Sequence, residues 1–337
     1  MTTKTSTSIA DRVAPDTPAT SIADRVAPDT SATSLADHAA PDTPDTRAAE
    51  VSLGVVLLLL GIGAATVALL GPLGAGVIVY HVSEGAAQQV RGGDLAGLLL
   101  MAPWAWVSAA LLLRGHRAGA SLALAPAAYG LYMYSQLAIS GDIDRYVGTS
   151  HRYFPLFWAL TTLSGVGVVL AGVRIVRDPV FPRYRRRLVQ GAGWYLLVVA
   201  AFLLVGLHLP GLLDAWRQVP ASAEYLADPN VFWVVKLMDL AFVLPLLVGL
   251  GVGLLRDRTW ARELLAPMTG CCALMASSVA GMAVSMLLFG APGSSLGLAS
   301  GFSLAAIGAL MLTLAAYRPL FDDPDHAPPG GDMPLQQ

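Results

Sequence analysis

The sequence predicts an all-α polytopic membrane protein, a bundle of about eight transmembrane helices, and three observations predict it. Of 337 residues, 55% are apolar and only 13% are charged, with a mean hydropathy of +0.60, whereas a soluble domain carries about 25% charged residues. Apolar runs of about 20 residues recur down the chain, enough for a helix to cross the roughly 30 Å hydrocarbon layer. Arginines concentrate in alternate loops, the signature of a chain sorted across a bilayer. The spans fall near residues 51–71, 94–113, 118–139, 154–173, 188–208, 230–255, 264–289 and 296–317, inside a transmembrane domain of residues 51–320. The lipid bilayer is the first partner this implies.

Residues 1–50 precede the first span and hold three copies of a 13-residue unit, beginning at Thr7, Thr20 and Thr33. Each unit is Ala, Asp, Thr and Pro with one or two aliphatic side chains, too little apolar surface to offset the entropy of folding, so the arm is expected to be disordered. It has no basic start and no early apolar stretch, so the first span is expected to direct insertion itself. The other end, residues 321–337, is Pro/Gly-rich and acidic and reads as a second disordered tail. Near the first span the apolar stretch runs on past Gly71 and Pro72 to Tyr80, which predicts a kinked, tilted or prolonged helix rather than two.

Basic residues set the orientation. The second, fourth and sixth loops hold Arg114 and Arg117, six arginines between Arg174 and Arg187, and Arg256, Arg258 and Arg262; the odd-numbered loops hold only Arg91, Arg145, Arg152 and Arg217. Both termini are therefore expected in the cytoplasm of a bacterial cell, with the chain in its plasma membrane. The arm carries four basic and eight acidic residues. The basic fourth loop is accordingly a candidate contact for an acidic tail or for anionic lipid headgroups, alongside plain topological sorting.

The two halves resemble each other. Asp94-Leu-Ala is followed by Pro103, a basic hinge and an Ala-Pro ending at Pro126; Asp239-Leu-Ala is followed by Pro245, a basic hinge and an Ala-Pro ending at Pro267. Four spans per copy keep both copies in one orientation, which predicts a parallel 4+4 repeat with its axis along the membrane normal. The competing account is that Leu/Ala-rich helices resemble one another by composition.

The sharpest local signal lies between Asp228 and Asp239. Asp228 suits an N-cap and Pro229 a first helical position. Lys236 and Asp239 then fall about 10 and 15 Å along that helix at 1.5 Å per residue, and three-residue spacing puts them on one face. Charges at that depth in a membrane should face protein or a watery cavity. They read either as a site for an anionic or amine group or a proton relay, or as an internal ion pair, with each other or with Asp94, that fixes packing. Tyr80, His81, Glu84, Asp142, Asp144, Arg145, His151, Arg152, His208 and Asp214 gather at the same outer face, and the Tyr-Gly-Leu-Tyr-Met-Tyr stretch of the third span makes Tyr132 a candidate cavity wall. The candidate ligand-binding residues are Lys236, Asp239, Asp94, Glu84, His81 and Tyr132.

Three histidines and Glu84 come from separate loops at no diagnostic spacing, so no metal site is predicted. Cys271 and Cys272 are adjacent in the seventh span and read as small apolar fillers. Ser277, Gly281 and Ser285 form a small-residue stripe suited to close helix approach. No phosphate-binding loop, dinucleotide fingerprint, serine-nucleophile elbow or zinc-protease motif occurs, so no catalytic residue, cofactor or nucleic-acid partner is predicted.

Nineteen Arg against two Lys, with abundant Ala and Gly, point to a GC-rich bacterial genome. On that background the segments around Lys236 and around Tyr132 resemble uncharacterised multi-spanning membrane proteins of actinobacteria over most of residues 51–320. The resemblance implies a multi-helix fold and no activity. The sequence thus favours small-molecule or ion transport or binding at an outer-half site between two helix repeats. Its alternatives are a membrane-embedded enzyme acting on a lipid or lipid-linked substrate, and an assembly partner that recruits proteins through its arm.

Overall fold

The computed structural model describes residues 44–177 and 182–322. Most of the repeat-bearing arm, part of the fourth loop and the end of the acidic tail lie outside the described residues. Eight long helices run up and down: α1 (Pro44–Leu70), α2 (Glu84–Leu113), α3 (Gly119–Ile139), α4 (Ser150–Arg177), α5 (Arg186–Ala215), α6 (Pro229–Leu255), α7 (Leu265–Leu288) and α8 (Leu296–Leu320). No strand occurs among the described residues. The chain is a polytopic helical bundle: seven of the eight are long and apolar enough to cross a membrane, and the exception is α3.

The reason α3 differs is its position. Three tyrosines and Gln136 lower its apolarity, yet thirteen of its 21 residues are buried, because α4, α2 and α7 surround it. A helix coated by protein does not need the apolar surface that lipid demands.

Three helices contain a widened π segment: Gly97–Met101 in α2, Phe202–His208 in α5 and Asp239–Val243 in α6. Each ends two residues before a proline, Pro103, Pro210 and Pro245. Proline lacks the N–H and its ring crowds the carbonyl four residues back, so a local change of hydrogen-bond register lets each helix continue.

Helix α2 begins at Glu84, ten residues ahead of the apolar run that starts at Asp94, with Ser83 as its N-cap. Asp94 therefore lies well inside the helix. The stretch after α1 does not prolong that helix. It turns at Gly71, folds back through Ala75 N–H to Leu69 O and Ile78 N–H to Leu70 O, and buries Ile78 and Tyr80. Thr149 holds this segment by accepting from Val79 N–H and donating to Val77 O. Irregular backbone near a membrane is tolerated when protein satisfies it in this way.

Neighbours pair in order: α1 with α2, α3 with α4, α5 with α6, and α7 with α8, while α7 also packs on α2 and α3. Two apolar cores result. One joins α1 to α4 and reaches Cys271 and Leu274 of α7; the other joins α5 to α8 with Ala118 and Leu122 beside α3's start. The closest crossing is α2 on α7. A Cβ on Gly92 would sit 2.2 Å from Gly281 O, and one on Gly281 would sit 2.5 Å from Gly92 O. Only two glycines allow the backbones so near, so Gly281 is the working member of the seventh span's small-residue stripe.

At the arginine-rich end the charges serve helix ends and each other. Arg47 donates to Leu112 O and Leu113 O, the last carbonyls of α2, and Glu50, buried, pairs with Arg47 and Arg174. Arg262 pairs with Asp257, and Arg117 donates to Asp322 O.

Candidate functional site

Among the buried ionisable residues, Asp94, Lys236 and Asp239 lie well inside the helices α2 and α6. They sit in matched places. Asp94 is the tenth residue beyond the start of α2, three residues ahead of its π segment, and Asp239 the tenth beyond the start of α6, where its π segment begins. At 1.5 Å per residue both lie about 15 Å along their helices.

Asp239 has two close partners. Tyr132 of α3 donates to its Oδ1 at 2.7 Å, and His208 Nε2 of α5 lies at ion-pair distance, 3.0 Å, from its Oδ2. His208 is only 1% exposed, and neither of its ring nitrogens makes a hydrogen bond among the described residues. The residue sits in the π segment of α5, whose widened turn carries it against α6. The cluster therefore joins three helices through a carboxylate, an imidazole and a phenol, a set able to hold and pass a proton.

Lys236 does not pair with Asp239. Its ammonium lies 4.5 Å from the ring centre of Phe232, one turn earlier, and makes no hydrogen bond or ion pair among the described residues. This overturns the ion-pair reading for both aspartates, since no described bond links Lys236 to Asp94 either. The reason is rotamer reach: Asp239 points toward α3 and α5, where donors wait, while the lysine stem runs back over Phe232 beside Gly211. A buried ammonium that has an aromatic face but no ion pair is costly unless it gains a partner or gives up its proton.

Asp94 has a different neighbourhood. It lines a small cavity with Ala64, Val67, Gly97, Tyr129 and Met133, and its Oδ2 has no partner. Helix α3 stands between the two aspartates, offering Tyr129 to the Asp94 cavity and Tyr132 to Asp239. The six candidates thus divide: Asp239 and Tyr132 touch, Lys236 stands one turn away, Asp94 lies across α3, and His81 and Glu84 belong to the end of the bundle.

That end has its own organisation. His81 Nδ1 lies 2.6 Å from Tyr146 O and its Nε2 2.8 Å from His151 Nδ1. A carbonyl only accepts, which assigns the proton to His81 Nδ1 and makes His81 Nε2 the acceptor for His151 Nδ1–H. The pair lines a cavity of about 200 Å³ with Ser150, Leu137, Ile143, Phe154 and Phe157. Burial, then the nearby charge of Asp94, hold the Tyr80 hydroxyl well above its ordinary titration range. Glu84 is exposed and His208 is bound to Asp239, so the three histidines and Glu84 do not converge, and no group of three metal-ligating side chains forms among the described residues.

Two features escape a reading by composition. The Asp-Leu-Ala match extends upstream, with Arg91-Gly-Gly-Asp94 answering Lys236-Leu-Met-Asp239. Arg91 behaves like its counterpart: it leaves its aspartate, donates to Pro72 O and Gln88, and lies 4.4 Å over the Phe289 ring. The same separation of 145 residues joins Ser83 and Asp228. Asp228 occupies the N-cap position of α6 but makes no cap hydrogen bond; its carboxylate crosses to accept from Ser83 N–H at 2.8 Å and from the Ser83 hydroxyl. The starts of α2 and α6 are tied by equivalent residues. A register comparison at an offset of 145 would have found both. Set against known protein families, curated proteins and solved structures, the chain matches none.

Proposed function

We propose that this membrane protein binds, and moves across the bilayer, a small solute bearing an anionic group, at a centre formed by Lys236, Asp239, His208 and Tyr132. The observation that carries the reading is Lys236: an ammonium about 10 Å inside a spanning helix, 3% exposed and without an ion pair or hydrogen bond among the described residues. An isolated buried charge is expensive unless a ligand neutralises it or the group gives up its proton. The adjoining carboxylate, imidazole and phenol would hold or pass a proton as the solute binds.

The matched motifs and matched helix pairing support duplication of a four-helix unit, and positive-inside sorting supports an outward-facing Asp228 end. Both belong to the proposal. The basic fourth loop, on the cytoplasmic side, would meet anionic headgroups.

Screening small carboxylates, phosphates and amines against the purified protein tests the reading. A solute that raises the unfolding temperature of the wild type, loses its effect in Lys236→Ala and Asp239→Ala, and enters protein-bearing vesicles supports it. A solute that stabilises both variants as much as the wild type would reject the site.

A second reading rests on the His81–His151 pair and its cavity of about 200 Å³: acid–base chemistry on a lipid-linked substrate at that end of the bundle. Product formation in vesicles that depends on His151 would favour it.

A further inference from the structure

We infer that Asp94 anchors a site for a small monovalent cation, sodium, in the core of the first four helices; the inference deepens the transport reading and rests on it for its purpose. A buried carboxyl oxygen, Asp94 Oδ2, has no hydrogen-bond partner among the described residues, and the Tyr129 hydroxyl and Ser278 Oγ beside it have none but each other. Their residues are 7%, 3% and 2% exposed. Asp94 and Tyr129 line one cavity. Ser278 is within hydrogen-bonding reach of Tyr129, and its Oγ lies 3.5 Å from the position of a Cβ on Gly93, which lines the same cavity.

Buried polar atoms are almost always satisfied, so an unpartnered carboxyl oxygen beside two hydroxyls with free lone pairs calls for an occupant. The donor set is oxygen only, which suits a hard cation. The cavity has room for about one water-sized particle, which excludes an organic ammonium. One carboxylate supplies one negative charge; a divalent ion would leave an unbalanced buried charge, whereas a monovalent ion closes the balance. Arg91, three residues away, supplies no counter-charge because it is turned to Pro72 O, Gln88 and Phe289. The contrast with the second half is direct. Asp239, at the matched position, accepts a hydrogen bond from Tyr132 and lies at ion-pair distance from His208, so one carboxyl has protein-made partners and Asp94 Oδ2 has none among the described residues. The π segment that starts at Gly97 borders the same cavity, and interrupted helices supply ion sites in transporter folds.

The test uses the full chain in detergent with choline chloride exchanged for sodium chloride at constant ionic strength. Unfolding is followed with a thiol-reactive dye that reports exposure of Cys271 and Cys272. Sodium should raise the unfolding temperature by several degrees in a saturable way, potassium and choline should not, Asp94→Asn should abolish the response, and Ser278→Ala should shift it to higher sodium. Asp239→Asn should leave it intact. Equal behaviour of the wild type in sodium and choline, or a full sodium response in Asp94→Asn, overturns the site; a sodium-blind wild type matched by an equally stable Asp94→Asn identifies a neutral carboxylic acid instead. Should Asp94→Asn fail to fold, radioactive sodium binding to wild type and Ser278→Ala decides by the same criterion. Loss of the sodium effect with solute binding at Lys236 retained rejects this site alone, and the converse rejects only the solute site.

Discussion

The first four helices and the last four handle a buried carboxylate differently. In α1 to α4, the bundle closes around Asp94: 44% of the apolar window of α1 and of α2 is buried, against 17% in α5 and in α6. That closure leaves Asp94 Oδ2 without a partner among the described residues. In α5 to α8 the packing is looser, yet Asp239 accepts from Tyr132 of α3 and lies at ion-pair distance from His208. Tight apolar packing and polar satisfaction are separate achievements, and a site for something from outside arises where the first is met without the second.

The largest effect tests the joint between the sets. Gly92→Leu would drive a side chain into Gly281 backbone at a crossing that cannot yield, so loss of the monodisperse peak in size-exclusion chromatography is expected, well beyond the usual 1–3 kcal/mol or so of overpacking. Gly172→Leu, at an open position, should elute as the wild type does. If Gly92→Leu is tolerated, the two sets are not locked at this crossing.

Next in size, Asp239→Ala removes the acceptor of Tyr132 and the carboxylate at ion-pair distance from buried His208, and should lower stability by about 3 kcal/mol. Asp94→Asn in sodium-free buffer removes no described protein partner and should change it by less than about 1 kcal/mol. Thermal unfolding of the two variants side by side checks the contrast; equal losses would erase the difference between the halves.

Tyr132→Phe should cost about 1–1.5 kcal/mol, the value of one hydrogen bond, while Tyr129→Phe in choline should cost nothing measurable. The smallest effect belongs to the tie between the sets: Ser83→Ala removes one of two bonds to Asp228 and should cost about 1 kcal/mol, with proteolysis at the α1–α2 connection increasing. An unchanged cleavage rate would show that this end is held by the Thr149 contacts instead.

Much of the bundle was legible in the sequence because length and apolarity are what lipid selects. The third helix is the instructive case. Its tyrosines weaken the apolar signal, yet it forms, since α2, α4 and α7 replace lipid around it. The Asp228–Asp239 segment was legible as a deeply placed charged helix. The partners of Asp239 were not, because His208 is distant in sequence and meets it only through the π segment before Pro210. Nor was the fate of Lys236: three-residue spacing places two side chains on one face but says nothing about which neighbours compete for them.

By itself the sequence determined that the chain is a helical membrane protein, where its apolar runs fall, and that ionisable groups enter them, because composition and period are local quantities fixed by the solvent the chain must meet. The tertiary structure alone decided that Asp239 is satisfied and Asp94 is not, that Lys236 stands over Phe232, and that Ser83 joins Asp228. Those outcomes turn on distances of about 3 Å between helices, the range over which hydrogen bonds form, and such distances exist only after the helices have packed.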